Sequence, residues 1–208
     1  MFDEDGESPE QPDLEVPEEV EGQEEEIEPA EAIFADGKGY VGADDADRIS
    51  QQGFYGTRTD DGRLELEPVE ILHLIERKRL IVRLQSGEPC SASTIVSKLL
   101  REQPDLWTRY LVFRDLRSRG YAVRQGFGGG IGFRVYARGE KPGSASANQL
   151  VYVLKEGDVV SLQELATITE TASAARKKLV FALVDQNGEV NFYRVAQVVL
   201  HNRQGDTV

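Results

Sequence analysis

The chain has 208 residues, enough for one medium domain or two small ones with a real core. Its net charge of −13 argues against a nucleic-acid partner, but the first 30 residues hold 14 of the 37 Asp and Glu and no Lys or Arg, leaving 23 acidic against 24 basic side chains in residues 31–208. The single cysteine, Cys90, excludes a disulfide framework and a cysteine-rich metal site, and no apolar run is long enough to span a membrane.

Residues 1–30 combine Glu, Asp and Pro with few apolar side chains. Such a segment cannot bury enough surface to offset its ordering entropy, so a disordered, solubilising acidic tail is expected. It lacks the charged-then-apolar pattern of a signal peptide, and the expectation is a soluble cytoplasmic protein with no membrane contact. From about Phe34 the composition becomes globular, and Asp60-Asp61-Gly62 marks a turn between short extended pieces. Pro68 opens a helix over 68–80 whose stripe includes Val69, Leu72 and Leu80. A short strand at Ile81–Leu84 and a helix over about 92–102 complete a small α+β domain, residues 31–102. His73 is expected as a partly buried polar side chain on the first helix. His201 falls in a C-terminal tail, 201–208, and with no ligand-spaced companion for either histidine no metal is expected.

The second unit, residues 103–200, begins with a helix from Pro104 that Gly120 is placed to end. Tyr121–Arg124 is its first strand, and Gly126–Gly132 is too rich in glycine for a regular element. That run does not match G-x-G-x-x-G and opens no helix, so no nucleotide cofactor is expected. Strands at about 133–138 and 149–154 follow. Ser161 and Glu164 have the spacing of a capping box for a helix running to about Ala175. Leu179–Val184 is an apolar strand of the kind buried on both faces, Asp185–Gly188 a hairpin turn, and Val190–Leu200 a last strand with apolar residues on both faces. An exposed strand of that kind invites pairing with another chain. This unit is α/β with a central mixed sheet.

Three strings, YLVFRDLRSRGYAVRQGF (110–127), FRVYARGEKPG (133–143) and ARKKLVFALVDQNGEVNFYRV (175–195), are similar to the tRNA-splicing (tRNA intron) endonuclease family of archaea. YGTRTDDGRLELEPVEILHLIERKRLIV, in the first domain, has that family's look more weakly. The resemblance makes 31–102 the N-terminal domain and 103–200 the nuclease domain. It implies metal-independent cleavage of pre-tRNA at a bulge-helix-bulge, with the ribose 2′-hydroxyl attacking the adjacent phosphate. The products are a 2′,3′-cyclic phosphate and a 5′-hydroxyl. A base, an acid and a cation are needed, roles the family gives to tyrosine, histidine and lysine. The tyrosine maps onto Tyr136 in the FRVY strand, and the lysine onto Lys177, with Lys178 one residue away. The histidine position falls on Ser146, and a hydroxyl cannot act as an acid as an imidazolium does. Gly128, Gly129 and Gly132 replace a basic residue, an aromatic and an acid of the family's loop.

Taken without the resemblance, Tyr136 fits strand packing, Lys177 fits a solvated helix end, and the arginines of RDLRSRG fit a charged helix face. With it, three readings stand in order: a structural subunit beside a catalytic paralogue, an active homo-oligomeric endonuclease, and a pseudo-nuclease serving as an RNA-binding or assembly module. The resemblance also implies pairing of terminal strands across a two-fold axis. It further implies docking of an acidic loop, here Asp185–Glu189, into a partner dimer.

Overall fold

The computed structural model describes residues 28–128 and 130–198. The expected acidic tail through residue 27, Gly129, Val199, Leu200 and the C-terminal tail with His201 lie outside the described residues. The fold is mixed α/β, built on two mixed sheets.

The first sheet contains β1 (Ala30–Ala35), β2 (Lys38–Val41), β3 (Thr57–Arg58), β4 (Leu64–Leu66), β5 (Leu80–Leu84) and β6 (Pro89–Cys90), in the order β3-β4-β2-β1-β5-β6. Only the β1–β5 pair is parallel. Ala30, assigned from the sequence to the tail, is fully buried at the start of β1. Asp36 and Gly37, at φ 49° and 74°, form the two-residue turn between β1 and β2.

Helix α1 (Ala43–Gly53) was not anticipated, because it buries only Ala46, Ile49 and Gly53 and so carries little periodic signal. Helix α2 (Pro68–Glu76) starts at Pro68 as expected but ends four residues before Leu80. Lys78 adopts φ 55° and turns the chain, so Leu80 begins β5 rather than extending the helix stripe. Helix α3 (Ala92–Glu102) is capped by Ser91, whose hydroxyl accepts from the Thr94 amide at 3.2 Å.

Helix α4 (Leu106–Ser118) begins two residues after Pro104 and stops at Gly120, φ 83°. The Gly120 amide donates to Arg117 O at 3.0 Å and the Tyr121 amide to Leu116 O at 3.2 Å, which is the Schellman arrangement. The second sheet follows: β7 (Val123–Gly128), β8 (Ile131–Val135), β9 (Gln149–Lys155), β10 (Lys178–Val184) and β11 (Val190–Val195), in the order β11-β10-β9-β8-β7. Only β9 and β10 run parallel, joined by α5 (Leu162–Ala174).

Four expectations change here. The glycine run is not irregular, because Gly126–Gly128 belong to β7 and pair with β8 through a register shift. A Cβ at Gly126 would lie 1.8 Å from Ile131 O, so the two backbones approach this closely only at a glycine. Tyr136 lies one residue beyond β8 rather than on it. Ser161 accepts from the Glu164 amide at 3.1 Å, but the Glu164 carboxylate accepts from the Tyr152 hydroxyl at 2.5 Å instead of closing a capping box. The last strand ends at Val195 rather than Leu200. Val195 faces Leu179, next to the first residue of β10, so the ladder runs out of partner.

One hydrophobic core links the two sheets through α2 and α4. Phe113 of α4 lies with its ring centroid 5.6 Å from that of His73 on α2 and 5.9 Å from that of Phe133 on β8. His73 is 5% exposed, and its Nδ1 has no hydrogen-bond partner among the described residues. Burial, with Arg117 and Arg77 nearby, pushes its pKa from 6.5 down to about 4. The unfolded chain therefore takes up a proton between those values and the folded chain does not. Stability is fully present above pH 6.5 and falls by about 2 kcal/mol as the pH drops toward 4. His73→Phe, which keeps the ring and removes the titration, should flatten this acid limb in urea unfolding at pH 4–7. An unchanged limb would remove His73 as its cause.

Candidate active site

Strand direction decides where the three candidate residues lie. In a parallel pair both strands begin at the same end of the sheet, while an antiparallel neighbour finishes there. Residues preceding β9 and β10 and those following β8 and β11 therefore collect at one sheet end. Tyr136 follows β8, Ser146 stands three residues before β9, Lys177 immediately precedes β10, and Arg194 lies near the end of β11.

Main-chain bonds hold this end together. The Tyr136 amide donates to Ala122 O at 3.0 Å, the Asn148 amide to Val135 O at 3.0 Å, and the Lys178 amide to Asn148 O at 3.1 Å. Lys177 is set by the end of α5. Arg176 takes φ 53°, its amide donates to Ser173 O at 2.9 Å, and the Lys177 amide donates to Ala172 O at 2.9 Å. This is a second Schellman stop, here without glycine. It turns the chain into β10 with the lysine half-buried, and Lys177 Nζ donates a hydrogen bond to Ser146 Oγ.

Ser146 and Lys177 thus meet across 31 residues of sequence. They line an open groove of about 680 Å³ with Asn148, Arg176, Lys178 and Arg194. No carboxylate lines it, and none of its four cations takes part in an ion pair among the described residues. The side-chain oxygen of Asn148 is buried there without a hydrogen-bond partner among the described residues. Such a surface suits a phosphate-bearing ligand.

Tyr136 is at the same sheet end but does not line the groove. It is 6% exposed and packs with Ala122, with Ala147 (the residue after Ser146) and with Phe54 at the end of α1. The first unit therefore forms part of its setting. Next to it, Arg124 donates to Gly56 O and lies 3.7 Å from Glu70. The buried Glu70 carboxylate accepts from the Gly56 amide at 3.0 Å and the Glu67 amide at 2.9 Å, and burial raises its pKa.

Sequence reasoning did not find Arg194 or Asn148. Arg194 carries no local signal and becomes a groove residue only through the pairing that sets it opposite Val180. The arginines of RDLRSRG are engaged inside the chain. Arg114 lies 3.5 Å from Glu76, Arg117 sits 4.5 Å over the Tyr55 ring, and Arg119 pairs with Asp115 at 2.6 Å. Where the glycine run lacks side chains, a separate cleft of about 500 Å³ opens between α4 and the sheet, bordered by Arg109 and Lys155. Among the described residues no helix is long and apolar enough to cross a membrane, and no cluster of His, Cys, Asp and Glu has a metal-binding arrangement.

Residues 106–192 match the model of the tRNA intron endonuclease catalytic C-terminal domain, and residues 30–96 match that of its N-terminal domain. The chain is 35% identical over 150 residues to the tRNA-splicing endonuclease of Methanothermobacter thermautotrophicus, covering 72% of this chain and 86% of that one. It is 35% identical over 139 residues to the tRNA-splicing endonuclease of Thermococcus gammatolerans, covering 66% and 80%. Against the tRNA-splicing endonuclease of Methanococcoides burtonii it is 34% identical over 143 residues, 69% of this chain but only 39% of that longer protein. Matched along both segments, the chain belongs to the tRNA intron endonuclease family.

Proposed function

We propose that this chain is a structural subunit of an endonuclease that removes introns from pre-tRNA at a bulge-helix-bulge. The observation that carries the reading is the Lys177–Ser146 contact in a groove that no carboxylate lines among the described residues, at the same sheet end as the buried Tyr136. In the proposed chemistry a 2′-oxygen attacks phosphorus, the bond to the 5′-oxygen breaks, and the departing oxygen takes a proton. No metal is required. Tyr136 stands at the position of the base and Lys177 at that of the cation facing the phosphate. Ser146 stands at the position of the acid, where a hydroxyl cannot supply the proton as an imidazolium would. The chain therefore assembles with a catalytic paralogue that carries the full set.

The test is to incubate the purified chain, alone and with such a paralogue, with a bulge-helix-bulge RNA in EDTA. Cleavage is expected only from the mixture, leaving 2′,3′-cyclic phosphate ends. Cleavage by the chain alone, lost in Tyr136→Phe and Lys177→Ala, would defeat the scaffold reading in favour of an active homo-oligomer.

Assembly has its own support. Strand β11 is the edge of its sheet, and Tyr193 is 53% exposed on it, with Val198 75% exposed just beyond. An unpaired edge with exposed apolar residues is a template for another strand. A dimer at least is expected in sedimentation at micromolar concentration, and a monomer there sinks this part of the proposal.

A further inference from the structure

The most uneven feature of this chain is its charge. Of the 37 acidic residues, 14 fall in the first 30 positions, while the rest is nearly neutral. Against that neutral background the groove at the end of the second sheet is a local concentration of one sign, with Arg176, Lys177, Lys178 and Arg194 and, among the described residues, no carboxylate. We infer that the acidic segment of residues 1–27 docks in this groove of its own chain and is displaced by RNA.

Reach permits it. Twenty-seven residues span at most about 90–97 Å at roughly 3.3–3.6 Å each. A folded unit of this size has a radius of gyration of about 15 Å, so every point on its surface lies within range. Charge selects the groove among the surfaces in range. Ion pairing occupies much of the cationic surface elsewhere: Arg48 with Asp45, Arg83 with Glu31, Arg119 with Asp115 and Lys38 with Glu65. The basic turn Arg77-Lys78-Arg79 lies beside the start of β1, where the Ala30 amide donates to Arg79 O at 3.0 Å. It is close enough for the carboxylates at 24–26, but the acidic residues from Asp3 to Glu21 reach past it, and the groove offers them four cations together.

Tethering makes such a contact effective without high affinity. An effective concentration of about 1 mM, acting on a non-specific ionic contact with a Kd of about 0.1 mM, leaves the groove roughly tenfold less available. RNA carries the same charge at higher density and competes for the same cations. This last step rests on the proposed function, whereas docking of the segment does not.

Carbodiimide joins a carboxylate to a lysine amine only where they touch, so cross-linking of the full chain at 50 mM salt tests the contact. Links from residues 1–27 are expected to concentrate on Lys177 and Lys178 within one chain. Links that concentrate on Lys78, spread evenly over Lys38, Lys98, Lys141 and Lys155, or join isotopically heavy to light chains would overturn the inference, as would their absence. In a second arm, every Asp and Glu of residues 1–27 becomes Asn or Gln, and binding of a twelve-residue oligouridylate is measured. Binding should tighten about tenfold at 50 mM salt and be unchanged at 1 M, where the screening length is about 3 Å. Equal affinity at both salts overturns the competition. If neither form binds RNA, the RNA reading fails, and the cross-links alone decide whether the segment docks.

Discussion

Ser146→His is expected to give the chain cleavage of a bulge-helix-bulge RNA about 10²–10⁴-fold faster than its parent, the usual contribution of a positioned general acid. The position is favourable because Ser146 Oγ already meets the Lys177 ammonium, and Tyr136 packs on Ala147 next in the chain. An imidazole there has an ordinary pKa near 6.5, which the Lys177 charge pushes down. It must be protonated to act as the acid, so the gain should be largest on the acid side of neutrality and shrink as pH rises. Single-turnover rates in EDTA from pH 5 to 8 measure this. Adding Lys177→Ala or Tyr136→Phe to Ser146→His should remove the gain. A well-folded Ser146→His protein with no gain at any of these pH values would place the acid elsewhere and take Ser146 out of the site.

Phe113→Ala is expected to cost about 3–5 kcal/mol in urea unfolding, the range for emptying a large aromatic site in a core. In a chain of this size that lowers Tm by roughly 6–20 °C. Phe113 is 1% exposed in the middle of α4, touching His73 on one side and Phe133, itself fully buried, on the other. The cavity would open where the two sheets share their core, so both should lose stability together in one transition. Phe113→Leu, which refills part of the volume, should lose less. A loss below about 1 kcal/mol for Phe113→Ala, or a second transition left in place, would mean the two units are not energetically joined at this residue.

Several elements could be read from the sequence because their causes are local. Pro68 starts α2, Ser161 caps α5, and Gly120 stops α4, each through bonds within a turn of its own position. The Asp185–Gly188 turn needs only its own residues, with Gly188 at φ 83°. Where the local signal was thin or ambiguous, the reading failed. Helix α1 offers two apolar side chains and a glycine to the core, and the glycine run shows its strand character only when Ile131 comes up against Gly126.

The motif strings carried the family, and with it the candidate residues Tyr136, Ser146 and Lys177. What no string contains is their arrangement. Lys177 meets Ser146 because β9 and β10 run parallel in a register that sets Lys178 opposite Gln149. Glu164 is drawn from its helix cap to Tyr152, and Arg194 is carried into the groove by its pairing with β10. Caps and turns are fixed by bonds spanning a few residues, so the sequence alone determined them. The groove depends on strand pairing between segments some thirty residues apart, and only the tertiary structure decided which side chains it brings face to face.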